Sequence, residues 1–229
     1  MDLIVNGTSL AALGVITENQ TEFKKPKRRT QRSYIAGTDG AQSEEYGYDG
    51  YDLEYRITPT LPEYFNQIFA LLDGDVILEA SDDPGKFWYA RVDDEVPYSS
   101  IALWKTTTVK FFVYNPFRYV KDEVDQTITT FPATIVNAGT AESNPLLKIT
   151  GSGTVNLTLN GTTVEYTFDT PYVYFECIKG PLRKAYHETT NKTRNKSGGW
   201  PVLSPGNNTL TINSGTVTQV IVKKRTRYK

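Results

Sequence analysis

The eleven residues Gly198-Gly199-Trp200-Pro201-Val202-Leu203-Ser204-Pro205-Gly206-Asn207-Asn208 constrain the fold more than any other stretch of this chain. Two prolines fix φ and three glycines open conformations closed to other residues, so the path is bent and no helix can run through it. Trp200, Val202 and Leu203 give that bend something to bury, and the alternating run Thr209–Asn213 follows directly. A bent, apolar-lined connection feeding a strand belongs to a β-sheet protein.

Other segments read the same way. Leu53–Thr58 alternates apolar and polar residues, as a sheet with one wet face requires. Phe87–Val92 and Thr107–Tyr114 are rich in β-branched and aromatic residues. Val155–Leu159 and Thr163–Phe168 flank Asn160-Gly161, the strongest short hairpin signal. Tyr172–Cys177 and Val217–Val222 complete a run that predicts an antiparallel sandwich. Upstream, Val136-Asn137-Ala138-Gly139 leads to Asn144-Pro145-Leu146-Leu147-Lys148-Ile149.

One segment predicts a helix, Pro62–Leu72, with proline near its start and Asp73-Gly74 at its end. Phe65, Ile68, Phe69 and Leu72 fall at i, i+3, i+4 and i+7, a stripe expected to lie on a sheet. Turn-rich stretches are expected at Ala36–Gly40, Tyr46–Gly50 and Ser81–Lys86. The polar segment Lys121–Thr127 follows Asn115-Pro116-Phe117-Arg118-Tyr119 and precedes the new set of short strands. It divides the chain into residues 1–121 and 122–229, each long enough for its own core.

The residues offer little chemistry. The sole cysteine, Cys177, excludes an intramolecular disulfide, and with one histidine, His187, it leaves little for a zinc site. Neither sits on a nucleophile elbow or protease signature, and Cys177 reads as a small buried hydrophobe. Glu44-Glu45, Asp82-Asp83 and Asp93-Asp94-Glu95 lie in turns and read as solvated, not as carboxyls facing each other across a cleft. Asp75–Asp83 lacks the spacing of a calcium loop, and no phosphate-binding glycine loop or dinucleotide fingerprint occurs. The expectation is no catalytic residue, no metal and no cofactor. Met1–Gly7 does not read as a secretory signal, and no apolar run approaches the ~20 residues of a membrane span, so a soluble product is expected.

Charge is the sharper feature. Residues 1–120 carry 18 acidic and 12 basic side chains, residues 121–229 carry 8 and 13. This asymmetry has two readings, opposed faces that attract one another or two domains of different composition. The run from Lys24 to Arg32 places six cations, Lys24, Lys25, Lys27, Arg28, Arg29 and Arg32, in nine positions. A polyanion such as nucleic acid is one partner for it. The other is an acidic protein surface, and Asp39–Glu95 holds 15 acidic against 3 basic residues. The chain is not basic overall and shows no nucleic-acid-binding motif, which favours a contact between subunits, with the run on a surface hairpin or loop.

The Trp200 bend and its upstream partner segments resemble the C-terminal domain of the distal tail proteins of long, non-contractile-tailed phages. The N-terminal half is similar to the same family through Asn6-Gly7, Gly14-Val15-Ile16, Pro26 and Ile35-Ala36-Gly37-Thr38-Asp39-Gly40. Leu78–Pro84, Phe87–Val92, Val109–Val113 and Asn115–Tyr119 extend the likeness, so it covers nearly the whole chain. The resemblance implies a mainly β protein: an N-terminal β-sandwich with one α-helix, related to tail-tube subunits, and a C-terminal galectin-like β-sandwich. It implies a homo-hexameric ring, formed by residues 1–121, at the junction of tail tube and adsorption apparatus. The implied neighbours are the tail tube protein, the tail tip or tail-associated protein, the tape measure protein and receptor-binding proteins. The implied setting is the virion tail tip, assembled in the host cytoplasm, with no membrane and with DNA only passing through the channel.

Galectins that bind sugar use a His-Asn-Arg cluster with a Trp and a nearby Glu-Arg pair. Here Trp200 is followed by Pro201-Val202-Leu203 and His187 lacks such companions, so galectin-like is expected to mean fold, and Trp200 to anchor a core or domain contact. The leading expectation is a structural adaptor. Host-surface carbohydrate recognition through the C-terminal sandwich is the alternative, and a cell-wall hydrolase lacks its constellation.

Overall fold

A computed structural model describes the chain except for residues 21–23, 61–63, 97–98 and 102–103 and the side chains of residues 65, 99–101, 104 and 105. The chain divides into two compact units, Met1–Lys121 together with Lys229, and Asp122–Tyr228. Both are mainly β.

The first unit contains β1 (Leu3–Val5), β2 (Thr8–Ser9), β3 (Val15–Asn19), β4 (Arg28–Ser33), β5 (Gln42–Tyr48) and β6 (Tyr51–Pro59). Helix α1 (Phe65–Leu71) is followed by β7 (Gly74–Ala80), β8 (Lys86–Val92), β9 (Ser99–Ile101) and β10 (Trp104–Val120). A curled antiparallel sheet runs in the order β2-β1-β7-β8-β10-β6-β3, with β9 on the start of β10. Period-2 alternation sends Leu53, Tyr55 and Ile57 of β6, Val76 and Leu78 of β7 and Trp88 and Ala90 of β8 to one face, where they form a single apolar cluster. Each of the branched aliphatic side chains among them contributes about 1.5–3 kcal/mol when fully buried. Trp88 Nε1 donates to the Tyr51 hydroxyl at 3.0 Å, so the ring is buried without stranding its N–H.

The helix is shorter than its pattern suggested. It spans Phe65–Leu71, and the expected start at Pro62 lies outside the described residues. Ile68 and Leu72 are buried, while Phe69 is 40% exposed. At 100° per residue, Ile68 and Leu72 stand about 40° apart and Phe69 falls at the margin of the stripe. The turn expected at Tyr46–Gly50 is also corrected: Tyr46–Tyr48 close strand β5.

The second unit contains β11 (Gln126–Ile128), β12 (Ala133–Asn137), β13 (Leu146–Leu159), β14 (Thr162–Thr167) and β15 (Tyr172–Glu176). β16 (Lys184–His187), β17 (Thr190–Asn191), β18 (Lys196–Gly198) and β19 (Gly206–Lys223) follow. The two long strands organise it. The first half of β13 pairs with β15 and with the end of β19, and its second half pairs with β14 and with the start of β19. Val155–Leu159 is therefore the end of one long strand, and Thr209–Asn213 and Val217–Val222 belong together to another, with register shifts between Thr150 and Leu157. Gly215, at φ +85°, and Gly151 let both strands turn the corner together. The two halves bring two layers face to face: Tyr166 of β14 meets Phe175 of β15 edge-on at 5.5 Å, and both lie in one buried cluster. Asn160 and Gly161, at φ 49° and 76°, make the expected hairpin turn between β13 and β14.

Candidate functional site

The basic run lies on a ribbon apart from either core. β4 and β5 pair only with each other, Thr30 opposite Glu45, Gln31 opposite Glu44 and Arg32 opposite Ser43, and nearly every side chain is exposed. Such a two-stranded hairpin has no apolar face to bury and is marginal in water. Local contacts secure its base. Arg28 forms an ion pair with Glu45 and donates to the Tyr48 hydroxyl at 2.9 Å, while Arg29 lies 3.5 Å from Asp49. Hydrogen bonding to Glu45, and then its charge, hold the Arg28 guanidinium above its ordinary range. Tyr48 meets Phe117 of β10 edge-on at 5.1 Å, tying the ribbon to the sheet.

The six cations thus separate into two groups. Arg28 and Arg29 are engaged within the hairpin, whereas Lys24, Lys25, Lys27 and Arg32 are exposed and form no ion pair among the described residues. At the tip, Tyr34 is 78% exposed and Ile35 is 48% exposed. No charge pattern marked these two; the signal available was a pair of apolar residues inside a polar turn.

The acidic stretch opposite is partly spent within the chain. Asp52 pairs with Lys110 at 3.1 Å, Glu79 with Lys121 at 2.7 Å, and Asp83 with Lys86 and Arg118 at 2.5 and 2.9 Å. Arg91 engages Asp75 at 3.3 Å and Asp93 at 2.6 Å. The exposed pairs among these, Asp52 with Lys110 and Arg91 with Asp75 and Asp93, contribute at most about 1 kcal/mol each, whereas Asp83 is largely buried between its two cations.

Trp200 is half-buried against the second core, with its ring 6.1 Å from Phe175 and edge-on to it. Lys196 Nζ stands 4.2 Å from the Trp200 centroid and donates to the Gly198 and Gly199 carbonyls at 2.9 and 2.6 Å. Burial, first, holds the Lys196 ammonium below its ordinary range. The bend beyond Trp200 is fixed by Asn208, which is fully buried and donates to the Ile135, Ser204 and Gly206 carbonyls while accepting from Ser204 N–H. Asparagine in a turn is ordinarily exposed, so nothing in the sequence marks Asn208 as the buried anchor of the bend.

Cys177 and His187 do not meet as a nucleophile and base. The Cys177 thiol is buried, faces the Phe175 carbonyl at 3.6 Å and is pushed up to about 12 by burial. His187 Nδ1 lies 2.9 Å from the Tyr172 carbonyl oxygen, and its ring rests on Tyr172. A cleft of about 590 Å³ beside β16 is lined by Glu176, Ile178, Lys184, Tyr186, Glu188 and Asn191 among others. Glu176 is clamped there by Arg225, with Nη2 to Oε2 at 2.8 Å, and Glu188 points into solvent. Neither carboxyl has the dry, unpaired setting of a general acid. Among the described residues no group of three or more His, Cys, Asp or Glu could hold a metal ion.

No family model matches the chain, and no curated protein matches it in sequence. Solved structures do match in fold. The crystal structure of the SPP1 Dit (gp 19.1) protein, described as a paradigm of the hub adsorption apparatus in phages infecting Gram-positive hosts, aligns with a TM-score of 0.69 at 18% identity. That alignment covers 96% of this chain and 97% of the other. A chain of the phage P2 baseplate in its activated conformation aligns with a TM-score of 0.51 at 6% identity, over 100% of this chain and 98% of that one. From end to end, this chain has the fold of a phage Dit hub protein.

Proposed function

We propose that this chain is a structural distal tail protein: six copies form a ring that joins the tail tube of a phage to its host-adsorption apparatus. The observation that carries the reading is the fold match to SPP1 Dit over 96% of this chain, which takes in both units. Residues 1–121 form the ring and its channel, and residues 122–229 make a galectin-like sandwich that carries outward contacts. The tail tube protein, the tail tip or tail-associated protein, the tape measure protein and receptor-binding proteins are its partners, and the virion tail tip is its place after assembly in the host cytoplasm. DNA passes through the channel, and no catalytic step is required. The separate partners of Cys177 and His187, and the clamped or solvated carboxyls of the β16 cleft, support a non-enzymatic role. In this ring Lys24, Lys25, Lys27 and Arg32 reach the acidic surface of a neighbouring subunit, which adds orientation and assembly rate more than affinity. Negative-stain microscopy of the purified chain tests it: six-fold annuli with outward lobes are expected, and fields of single compact particles contradict it.

A second reading, host-surface carbohydrate recognition by the C-terminal unit, draws on the β16 cleft, where the Tyr186 ring and the Asn191 amide offer an apolar wall and a hydrogen-bonding group. Saturable binding of the full chain to a glycan array favours it; an adaptor predicts none.

A further inference from the structure

The sheet of the first unit leaves apolar side chains on its outer face. Ile77 of β7 is 41% exposed, and Phe112 and Tyr114 of β10 are 44% and 46% exposed. Strand register makes them one patch. Ile77 stands opposite Tyr89, Arg91 lies opposite both Asp75 and Phe112, and Tyr89 belongs to a ring cluster with Phe87 and Tyr119. Burial, and then the charge of Asp75, hold the Tyr114 hydroxyl above its ordinary range. Isolated exposed apolar residues are ordinary, but a contiguous aromatic patch with a polar rim marks an interaction surface.

The rim is acidic. Gly74 pairs with Val92, so Asp73 and Asp75 at one strand end adjoin Asp93, Asp94 and Glu95 at the other. Arg91 pairs with two of these five carboxylates, and Asp73, Asp94 and Glu95 form no ion pair among the described residues. The hairpin is the complement in both respects. It has an apolar tip, Tyr34 and Ile35, beside Arg32, which forms no ion pair among the described residues, with Lys24, Lys25 and Lys27 at its base. Each surface supplies what the other lacks. Two different surfaces of one chain that fit each other make a head-to-tail contact, which closes a ring when the rotation per step allows.

We infer that the outer face around Ile77, Phe112 and Tyr114 is the docking surface for the β4–β5 hairpin of a second copy of this chain, with Tyr34 and Ile35 on the aromatic patch and Arg32 and the lysines on the acidic rim. This rests on the ring reading above and names the two surfaces that build it. Central aromatic anchors dominate binding energy, and rim charges set rate and salt dependence.

The test uses two full-length variants, a tip variant (Tyr34→Ala with Ile35→Ser) and a face variant (Phe112→Ser with Tyr114→Ser). All four positions are exposed, so the fold should tolerate them, and matching circular dichroism and melting curves confirm it. Each alone should weaken self-association by roughly tenfold or more, the loss of one such anchor. Mixed, they retain one intact contact, the face variant's tip on the tip variant's face. The expected product is a 1:1 pair of about 51 kDa that grows no further, read by mass photometry. A charge exchange gives an independent arm: Lys27→Glu with Arg32→Glu should disrupt assembly, and Asp94→Lys with Glu95→Lys in the other copy should restore it. Rings that form unchanged in both variants overturn the contact while leaving the ring intact. A mixture that stays monomeric beside a ring-forming wild type also overturns it. A wild type that is itself monomeric overturns the ring and the contact together. Loss of DNA retention without loss of assembly in the Lys27→Glu, Arg32→Glu chain assigns the cations to a polyanion instead.

Discussion

Gly151 lies under the Thr216 carbonyl so closely that a β-carbon built on it would sit 2.5 Å from that oxygen. This contact marks the corner at which β13 and β19 pass together from one layer of the second unit to the other. Replacing Gly151 by Val should push the strands apart and lower stability by roughly 2–4 kcal/mol. Denaturant unfolding followed by Trp200 fluorescence reads the change, and an unmoved midpoint would contradict the corner's role.

From a fully buried position Asn208 accepts from the Ser204 N–H and shares its two amide hydrogens among the Ile135, Ser204 and Gly206 carbonyls. Asn208→Ala leaves the Ser204 N–H without that acceptor and strands carbonyls that were paired. A loss of about 2–3 kcal/mol is expected. Asn208→Asp should cost at least as much, because the buried carboxylate accepts but cannot donate to the Ile135 carbonyl.

Arg225 closes on Glu176 through both terminal nitrogens, and both side chains are mostly covered. Arg225→Ala should destabilise the second unit by about 2 kcal/mol, since it leaves a largely buried carboxylate unpaired. Replacing Glu176 by Gln as well should recover part of that loss, and a double-mutant cycle measures the coupling.

Cys177 supplies a pH signature. Its thiol ionises near 9 when unfolded and is pushed up to about 12 in the fold. Below pH 9 both states hold the proton and the group adds no slope. Above it the unfolded chain loses the proton first, so stability falls with rising pH, by up to about 1.4 kcal/mol per unit, until the folded thiol also ionises. Cys177→Ala should remove that share of the alkaline slope. Native protein at pH 8 should resist thiol reagents until it is unfolded; rapid labelling would contradict the burial.

The sequence showed those parts of the fold that rest on local chemistry. Asn160-Gly161 specified its hairpin because both positions need positive φ, and the alternation of Leu53–Thr58 specified which residues turn inward. The continuity of β13 and β19 is hidden in the sequence, since Gly151, Gly153 and Gly215 interrupt the apolar alternation and lie within the strands all the same. Phe69 looked like core on spacing alone, but a seven-residue helix buries a narrow line. The basic run showed its charge and not its pairing: Arg28 and Arg29 find Glu45 and Asp49 only once the chain turns back. The acidic rim and its aromatic patch were out of reach, because register across three strands, not adjacency in sequence, brings Asp75, Arg91 and Phe112 side by side.

The six-membered ring proposed for this chain has a definite mass, and that mass decides between ring and monomer. Light scattering coupled to gel filtration, across micromolar concentrations at low and physiological salt, should give a species of about 154 kDa, six times the 25.7 kDa chain. A single species at 25.7 kDa throughout would contradict it.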